Sequence, residues 1–130
     1  MNASPATILI VDDNSSNRQV LQEALRPEGY STTAAATGNG ALASVAKHPP
    51  DLILLDVSMP GMDGFEVAST LKADPATAGI PIIMVTAHTG RGARVFGLNS
   101  GAEDYLTKPV DPAELSLKVR NLLRLRATTG

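Results

Sequence analysis

Ile8-Leu9-Ile10-Val11-Asp12-Asp13 places four large apolar residues directly before two carboxylates. A short, solid apolar run without polar alternation is typical of a strand buried on both faces, as in a parallel sheet covered by helices. Two more solid runs and two weaker candidates also predict strands. They are Leu52–Leu55, Ile80–Val85 with Pro81 near its start, Ser31–Ala35 and Tyr105–Thr107.

Segments with helical spacing of apolar residues separate these runs. The first helix follows the capping-type residue Asn14 and stops at Pro27. The other predicted helices are Ala41–Ala46, Phe65–Lys72, Arg94–Ser100 and a last one that starts after Asp111 with Pro112 at its first position. Strand and helix alternate five times, (βα)5. This order predicts an α/β fold, a doubly wound five-stranded parallel sheet with right-handed crossovers between two layers of helices.

Length and composition limit the class of protein. The 130 residues suit one domain, which we expect to span 1–130 with frayed tails at 1–6 and 127–130. The 11 Lys and Arg against 13 Asp and Glu argue against a basic nucleic-acid surface, and 3% aromatic residues leave no stacking platform for bases. The absence of cysteine excludes disulfides and thiolate chemistry. With no signal peptide and no membrane-spanning run, we expect a cytoplasmic protein without membrane contact.

Polar side chains follow the apolar runs at the points where the strands are predicted to end. The residues are Asp12 and Asp13 after the first run, Asp56 after the third, Thr86 after the fourth and Lys108 after the fifth. The carboxyl ends of parallel strands share one edge of the sheet, where α/β proteins bind ligands, so these side chains should converge. Carboxylate oxygens suit a hard divalent ion, Mg²⁺ or Mn²⁺.

The predicted cluster contains the parts that phosphoryl transfer requires. Lys108 supplies a positive charge, Thr86 supplies a hydrogen-bond donor, and a carboxylate can act as a nucleophile that forms an acyl phosphate. Asp56 is the predicted nucleophile because it ends its strand alone. The adjacent Asp12 and Asp13 are better placed to hold the ion.

Five motifs run in order along essentially the whole chain. They are Ile8–Asn14, Asp51–Asp56, Met59–Gly64, Val85–Ala87 and Gly101–Pro109. On these motifs the sequence closely resembles the receiver domain of bacterial two-component response regulators. The resemblance implies the flavodoxin-like strand order 2-1-3-4-5, which the sequence pattern alone does not establish.

By this resemblance, Asp56 accepts a phosphoryl group from a phosphohistidine on a sensor histidine kinase or phosphotransfer protein. Lys108 pairs with the phosphate, and Ser58 and His88 flank the entrance to the site. The implied ligands of Mg²⁺ or Mn²⁺ are Asp12, Asp13, Asp56 and the backbone carbonyl of Ser58. The protein is then a phosphorelay signalling switch with slow dephosphorylation in its own site, and not a turnover enzyme.

The same resemblance implies a conformational switch. Thr86 swings inward to bond a phosphoryl oxygen, Tyr105 fills the space that Thr86 leaves, and the Lys108–Pro109 peptide is cis. Partner binding then changes on the surface of the fourth predicted helix, the fifth strand and the fifth helix. A phosphorylation-dependent homodimer is one form that this change can take.

Three other functions remain as alternatives. A metal-dependent aspartyl-phosphate phosphatase of the haloacid dehalogenase type would need a second acid where this chain has Ser58. A flavin-binding module would need a Ser-, Thr- or Gly-rich loop where this chain has Asp12-Asp13. A receiver-like docking domain without phosphorylation would not need the acid pair or Asp56. The apolar and basic ending Leu122–Arg126 slightly favours a segment of a longer regulator, whose output module cannot be inferred from the sequence.

Overall fold

The centre of the molecule is one sheet of five parallel strands. The structure, a computed structural model, describes residues 6–57, 59, 61–87 and 101–129. The strands are β1 (Thr7–Val11), β2 (Ser31–Ala35), β3 (Leu52–Asp56), β4 (Ile82–Thr86) and β5 (Asp104–Thr107). Their order in the sheet is β2-β1-β3-β4-β5, with every neighbouring pair parallel. The predicted fold class and strand order are therefore confirmed.

Four helices lie among the described residues. They are α1 (Ser15–Leu25), α2 (Gly38–Lys47), α3 (Gly64–Ala73) and α4 (Pro112–Thr129), and one turn of 3-10 helix, Arg26–Glu28, follows α1. The helix predicted over Arg94–Ser100 lies outside the described residues, so the helix predicted as the fifth is α4. No helix in the described part of the chain has both the length and the apolar character needed to span a bilayer.

Apolar side chains of the strands alternate between two cores, one on each face of the sheet. Leu9 and Val11 of β1 belong to the core beneath α2 and α3, whereas Ile8 and Ile10 belong to the core beneath α1 and α4. All five residues of β3 are buried. Burial of each large side chain stabilises the fold by about 1.5–3 kcal/mol, which explains why these strands have solid apolar runs.

The element boundaries differ from the predicted ones by more than one residue in two places. β4 begins at Ile82, two residues later than predicted, because Pro81 has no N–H to donate to the sheet; its carbonyl still accepts a hydrogen bond from the N–H of Ile53. α2 begins at Gly38, three residues earlier than its apolar pattern, because the Thr37 hydroxyl accepts a hydrogen bond from the N–H of Gly40 at 2.9 Å.

Both ends of the described chain take part in regular structure. The carbonyl of Ala6 accepts a hydrogen bond from the N–H of Ser31 at 2.9 Å, and the backbone of α4 is helical as far as Thr129. These residues lie within the stretches expected as tails.

Candidate functional site

Asp56 and Thr86 end neighbouring strands at the same edge of the sheet. Asp56 pairs with Val85 in the register of β3 and β4, and Thr86 is the next residue of β4. Both residues are buried, with 4% and 5% of their surface exposed. The N–H of Lys108 donates a hydrogen bond to the Thr86 carbonyl at 2.8 Å, so the strand pairing also carries Lys108 to this edge.

Asp12 and Asp13 lie beside Asp56. One carboxylate oxygen from each of the three residues lies within 4.8 Å of the other two. Asp12 is buried, with 1% of its surface exposed, whereas Asp13 is exposed. The Asp12 carboxylate accepts a hydrogen bond from the N–H of Asn14 at 2.9 Å, which orients it at the start of α1. The five side chains predicted to converge are thus at one edge of the sheet.

Lys108 is the cation of this cluster. Its Nζ lies 3.2 Å from Oδ2 of Asp12 and 3.3 Å from Oδ1 of Asp56. Burial acts to lower the pKa of Lys108, but the Asp56 and Asp12 carboxylates outweigh that effect and raise the pKa above its ordinary value. Lys108 therefore stays protonated throughout the neutral pH range. The peptide bond that follows, Lys108–Pro109, is cis.

The charges of the cluster fit a divalent cation. Three carboxylates and one ammonium leave a net charge of minus two, and two of the carboxylates are buried. Like charges at this separation repel each other strongly unless a cation joins them. All the donors are oxygens, which Mg²⁺ prefers, and Asp13 faces solvent, where the ion would keep its waters. The residues present therefore fit Mg²⁺ or Mn²⁺ held by Asp12, Asp13 and Asp56.

Arg18 is a neighbour of the site that the sequence pattern did not indicate. Its Nη1 donates a hydrogen bond to the backbone carbonyl of Asp12 at 2.7 Å. Arg18 belongs to α1 and follows Asp12 by six residues. The spacing of these two residues in the sequence does not predict a contact between them. The bond ties the start of α1 to the carboxyl end of β1.

Tyr105 lies on β5, which β4 separates from β3 and Asp56. It pairs with Met84 in the strand register and packs against the core beneath α2 and α3. The Lys118 Nζ of α4 lies 5.8 Å from the centre of the Tyr105 ring and 2.9 Å from Oδ1 of Asp104. At this distance a cation–π attraction links the face of the ring to α4.

Two predicted residues at the entrance lie outside the described part of the chain. Ser58, expected to offer its carbonyl to the metal, and His88 are both among those residues. The loop that contains Ser58 is described at its two ends. It leaves β3 at Val57 and enters α3 at Asp63, whose side chain forms a capping box with Glu66.

Comparison with known proteins gives concordant matches. The model of the response regulator receiver domain family matches residues 8–120. The chain is 50% identical over 121 residues to the response regulator PleD of Caulobacter vibrioides, covering 93% of this chain and 27% of PleD. It is 44% identical over 124 residues to the DNA-binding response regulator MtrA of Mycobacterium bovis, covering 95% of this chain and 53% of MtrA. The chain thus spans between about a quarter and a half of these relatives.

Among solved structures, a CheY-like response regulator receiver domain protein from Methanospirillum hungatei superposes with a TM-score of 0.89 at 34% identity. The superposition covers 98% of this chain and 100% of that one. The likeness therefore extends over the whole fold described above.

Proposed function

Because the chain belongs to the family of response regulator receiver domains, we propose that Asp56 is the residue that accepts the phosphoryl group, in a reaction that depends on Mg²⁺ or Mn²⁺. The observation that carries this assignment is the position of Asp56, buried at the end of β3 beside Asp12 and 3.3 Å from the Lys108 ammonium. A carboxylate in this position lies next to a cation, Lys108, and next to a second acid, Asp12, that can bind the same metal ion.

In the proposed step, a carboxylate oxygen of Asp56 forms a bond to phosphorus while the bond from phosphorus to the donor's histidine nitrogen breaks. The electron pair of that broken bond stays on the imidazole, and the product is an acyl phosphate on Asp56. Lys108 lies where it can pair with the transferred oxygens, because its ammonium already bonds the Asp56 carboxylate. Mg²⁺ held by Asp12, Asp13, Asp56 and the backbone carbonyl of Ser58 would neutralise charge on the phosphoryl group.

The proposed output is a change of packing around Thr86 and Tyr105. Thr86 is buried next to the register partner of Asp56, so its hydroxyl is within reach of a group attached there after a rotation of the side chain. Tyr105 lies on the adjacent strand, β5, and would occupy the space that Thr86 vacates. The phosphoryl group then favours one packing over the other through contacts that only that packing offers.

The donor is expected to be a cytoplasmic sensor histidine kinase or phosphotransfer protein. Receiver domains act as signalling modules, and we propose that this one has no turnover activity beyond slow hydrolysis of its own acyl phosphate. The changed surface would include β5 and α4 and would contact an output domain, an effector protein or a second copy of the chain. Position 58 is Ser, so the second acid that an aspartyl-phosphate phosphatase requires is not available there.

Removal of the metal is expected to stop phosphorylation without unfolding the protein. The protein is incubated with acetyl phosphate and Mg²⁺, and the mass gain of one phosphoryl group is measured, with and without excess EDTA. In EDTA the labelling should fall to background, because the excess negative charge of the cluster then opposes the incoming anion. Circular dichroism should be unchanged, and addition of excess Mg²⁺ should restore the labelling. Equal labelling in EDTA would show that the metal has no part in the reaction.

Thr86→Ala is expected to separate phosphorylation from its consequence. The variant should take up the phosphoryl group at a rate within about threefold of the wild type, since the hydroxyl is one donor among several. Phosphorylation-induced chemical-shift changes at Tyr105 and on α4 should be largely lost in NMR spectra. The matched control is Thr32→Ala, which removes a hydroxyl from β2, the outer strand that β1 and β3 separate from β4. If Thr86→Ala retains the full shift changes, Thr86 is not the switch residue.

A further inference from the structure

Gly38, the first residue of α2, lies against the loop that connects Asp56 to α3. The residue is buried, and the space that a side chain would occupy is filled by Met62 of that loop. A Cβ atom on Gly38 would lie 2.9 Å from Cβ of Met62, 3.0 Å from its Cγ and 3.0 Å from its carbonyl oxygen. Such separations are closer than side-chain carbons normally approach, so only glycine fits at position 38 in this arrangement.

Two of the three contacted atoms are fixed to the loop backbone. Rotation of the Met62 side chain moves Cγ but leaves Cβ and the carbonyl oxygen where they are. A larger residue at position 38 must therefore displace either the backbone of the loop or the start of α2. Met62 also packs against the core beneath α2 and α3, which limits how far it can retreat without loss of apolar contact.

The loop in question carries groups that the proposed chemistry needs. It starts directly after Asp56 and includes Ser58, whose carbonyl we propose as a metal ligand. At one end, the N–H of Gly64 donates a hydrogen bond to the carbonyl of Val57 at 3.0 Å, and Met59 is buried. At the other end the capping box fixes Asp63 to α3. The contact of Met62 with Gly38 joins this loop to α2.

We infer that Gly38 is a positioning residue for phosphorylation: the absence of its side chain lets Met62 pack directly on α2 and thereby fixes the Asp56–Asp63 loop at Met62, four residues after the proposed metal ligand Ser58. The inference rests on the proposed function, because its expected consequences are changes in the affinity for Mg²⁺ and in the rate of phosphorylation. A shift of a few tenths of an ångström in one metal-ligand carbonyl weakens binding because Mg²⁺ tolerates little departure from octahedral geometry.

The test compares Gly38→Ala with Gly40→Ala. A Cβ on Gly40 would lie 2.9 Å from the hydroxyl oxygen of Thr37, a side-chain atom, so this control places the same substitution in the first turn of the same helix without contacting Met62. Three quantities are measured for both variants and the wild type. They are the backbone amide shifts of Met59, Gly61, Met62 and Asp63 by NMR, the dissociation constant of Mg²⁺, and the rate of phosphorylation by acetyl phosphate.

Gly38→Ala should shift the loop amides, raise the dissociation constant of Mg²⁺ roughly tenfold and slow phosphorylation to a similar extent, as loss of a contact behind a metal ligand does. Gly40→Ala should leave the loop amides and the Mg²⁺ affinity close to wild type. Unshifted loop amides in Gly38→Ala, or equal losses in both variants, would overturn the inference. A wild-type protein that takes up no phosphoryl group would overturn the proposed function instead, and the loop amides would still decide whether Gly38 positions the loop.

Discussion

Asp56→Asn is expected to abolish phosphorylation completely while leaving the fold intact. The amide is a far weaker nucleophile than a carboxylate, and attack through its nitrogen or oxygen would not give an acyl phosphate. Incubation with acetyl phosphate and Mg²⁺ should therefore give no mass gain in the variant, whereas the wild type gains one phosphoryl group. A gain that persists in Asp56→Asn would show that another residue is the acceptor.

The same variant should be no less stable than the wild type when the metal is removed by a chelator. Asn has almost the shape of Asp, and its oxygen can still accept a hydrogen bond from the Lys108 ammonium, which lies 3.3 Å from Oδ1 of Asp56. The substitution also removes one charge from a cluster that has more carboxylates than cations. A calorimetric melting temperature at or above that of the wild type is the expected result. A lower melting temperature would mean that Asp56 stabilises the metal-free fold through its charge.

A matched control is present at the other end of the same strand. Asp51 immediately precedes β3, and its carboxylate accepts a hydrogen bond from the N–H of Thr7 at 2.7 Å. Asp51→Asn changes a carboxylate to an amide, as Asp56→Asn does, but just before β3 begins, at the end of the strand opposite the cluster. Full phosphorylation of Asp51→Asn beside none in Asp56→Asn would assign the reaction to the carboxyl end of β3.

The sheet and the convergence of the site could be predicted from the sequence because both depend on patterns along the chain. Solid apolar runs indicate strands that are buried on both faces, and parallel strands place the residues that follow them at one edge. Asp12, Asp56 and Lys108 are 44 or more residues apart along the chain, yet this rule alone brings them together. The strand order required the family resemblance, because several orders are compatible with the same apolar pattern.

The unequal burial of the two adjacent acids could not be predicted. Asp12 is 1% exposed and Asp13 is exposed, although the two residues are chemically identical and consecutive. The difference arises because the direction of a side chain at the end of a strand depends on where the next helix packs. Here the Asp12 carboxylate is turned inward, where it bonds the N–H of Asn14 and the Lys108 ammonium.

Contacts between side chains of segments that are distant in the sequence also could not be predicted from the sequence pattern. The Lys72 ammonium donates hydrogen bonds to the carbonyls of Ala78 and Ile80 and pairs with Glu103 at 2.7 Å. The other oxygen of the Glu103 carboxylate accepts a hydrogen bond from the N–H of Ile82. Charged residues on a helix and before a strand ordinarily face solvent. Here Lys72 and Glu103 together link α3 to the starts of β4 and β5. This link depends on how the elements pack in three dimensions.

Gly64→Ala is expected to lower stability and to slow phosphorylation together. A Cβ atom on Gly64 would overlap the carbonyl oxygen of Asp56 and lie 2.9 Å from Cα of Val57. Alanine is intrinsically the better residue for the first turn of a helix, so any loss of stability must come from this overlap with the backbone. Overpacking of this kind costs about 1–3 kcal/mol, which corresponds to a fall of several degrees in melting temperature for a domain of this size.

The overlap also has a direct chemical consequence, because the displaced atom belongs to Asp56 itself. Relief of the clash must move either α3 or the end of β3, and the second movement changes where the Asp56 carboxylate stands relative to Lys108 and Asp12. We expect a fall in the phosphorylation rate of roughly tenfold or more, as for small misplacements of a reacting group. Gly79→Ala is the control, since nothing lies within 4 Å of a Cβ built at that position. A Gly64→Ala protein that melts and reacts like Gly79→Ala would mean that β3 and α3 do not approach each other as closely as described.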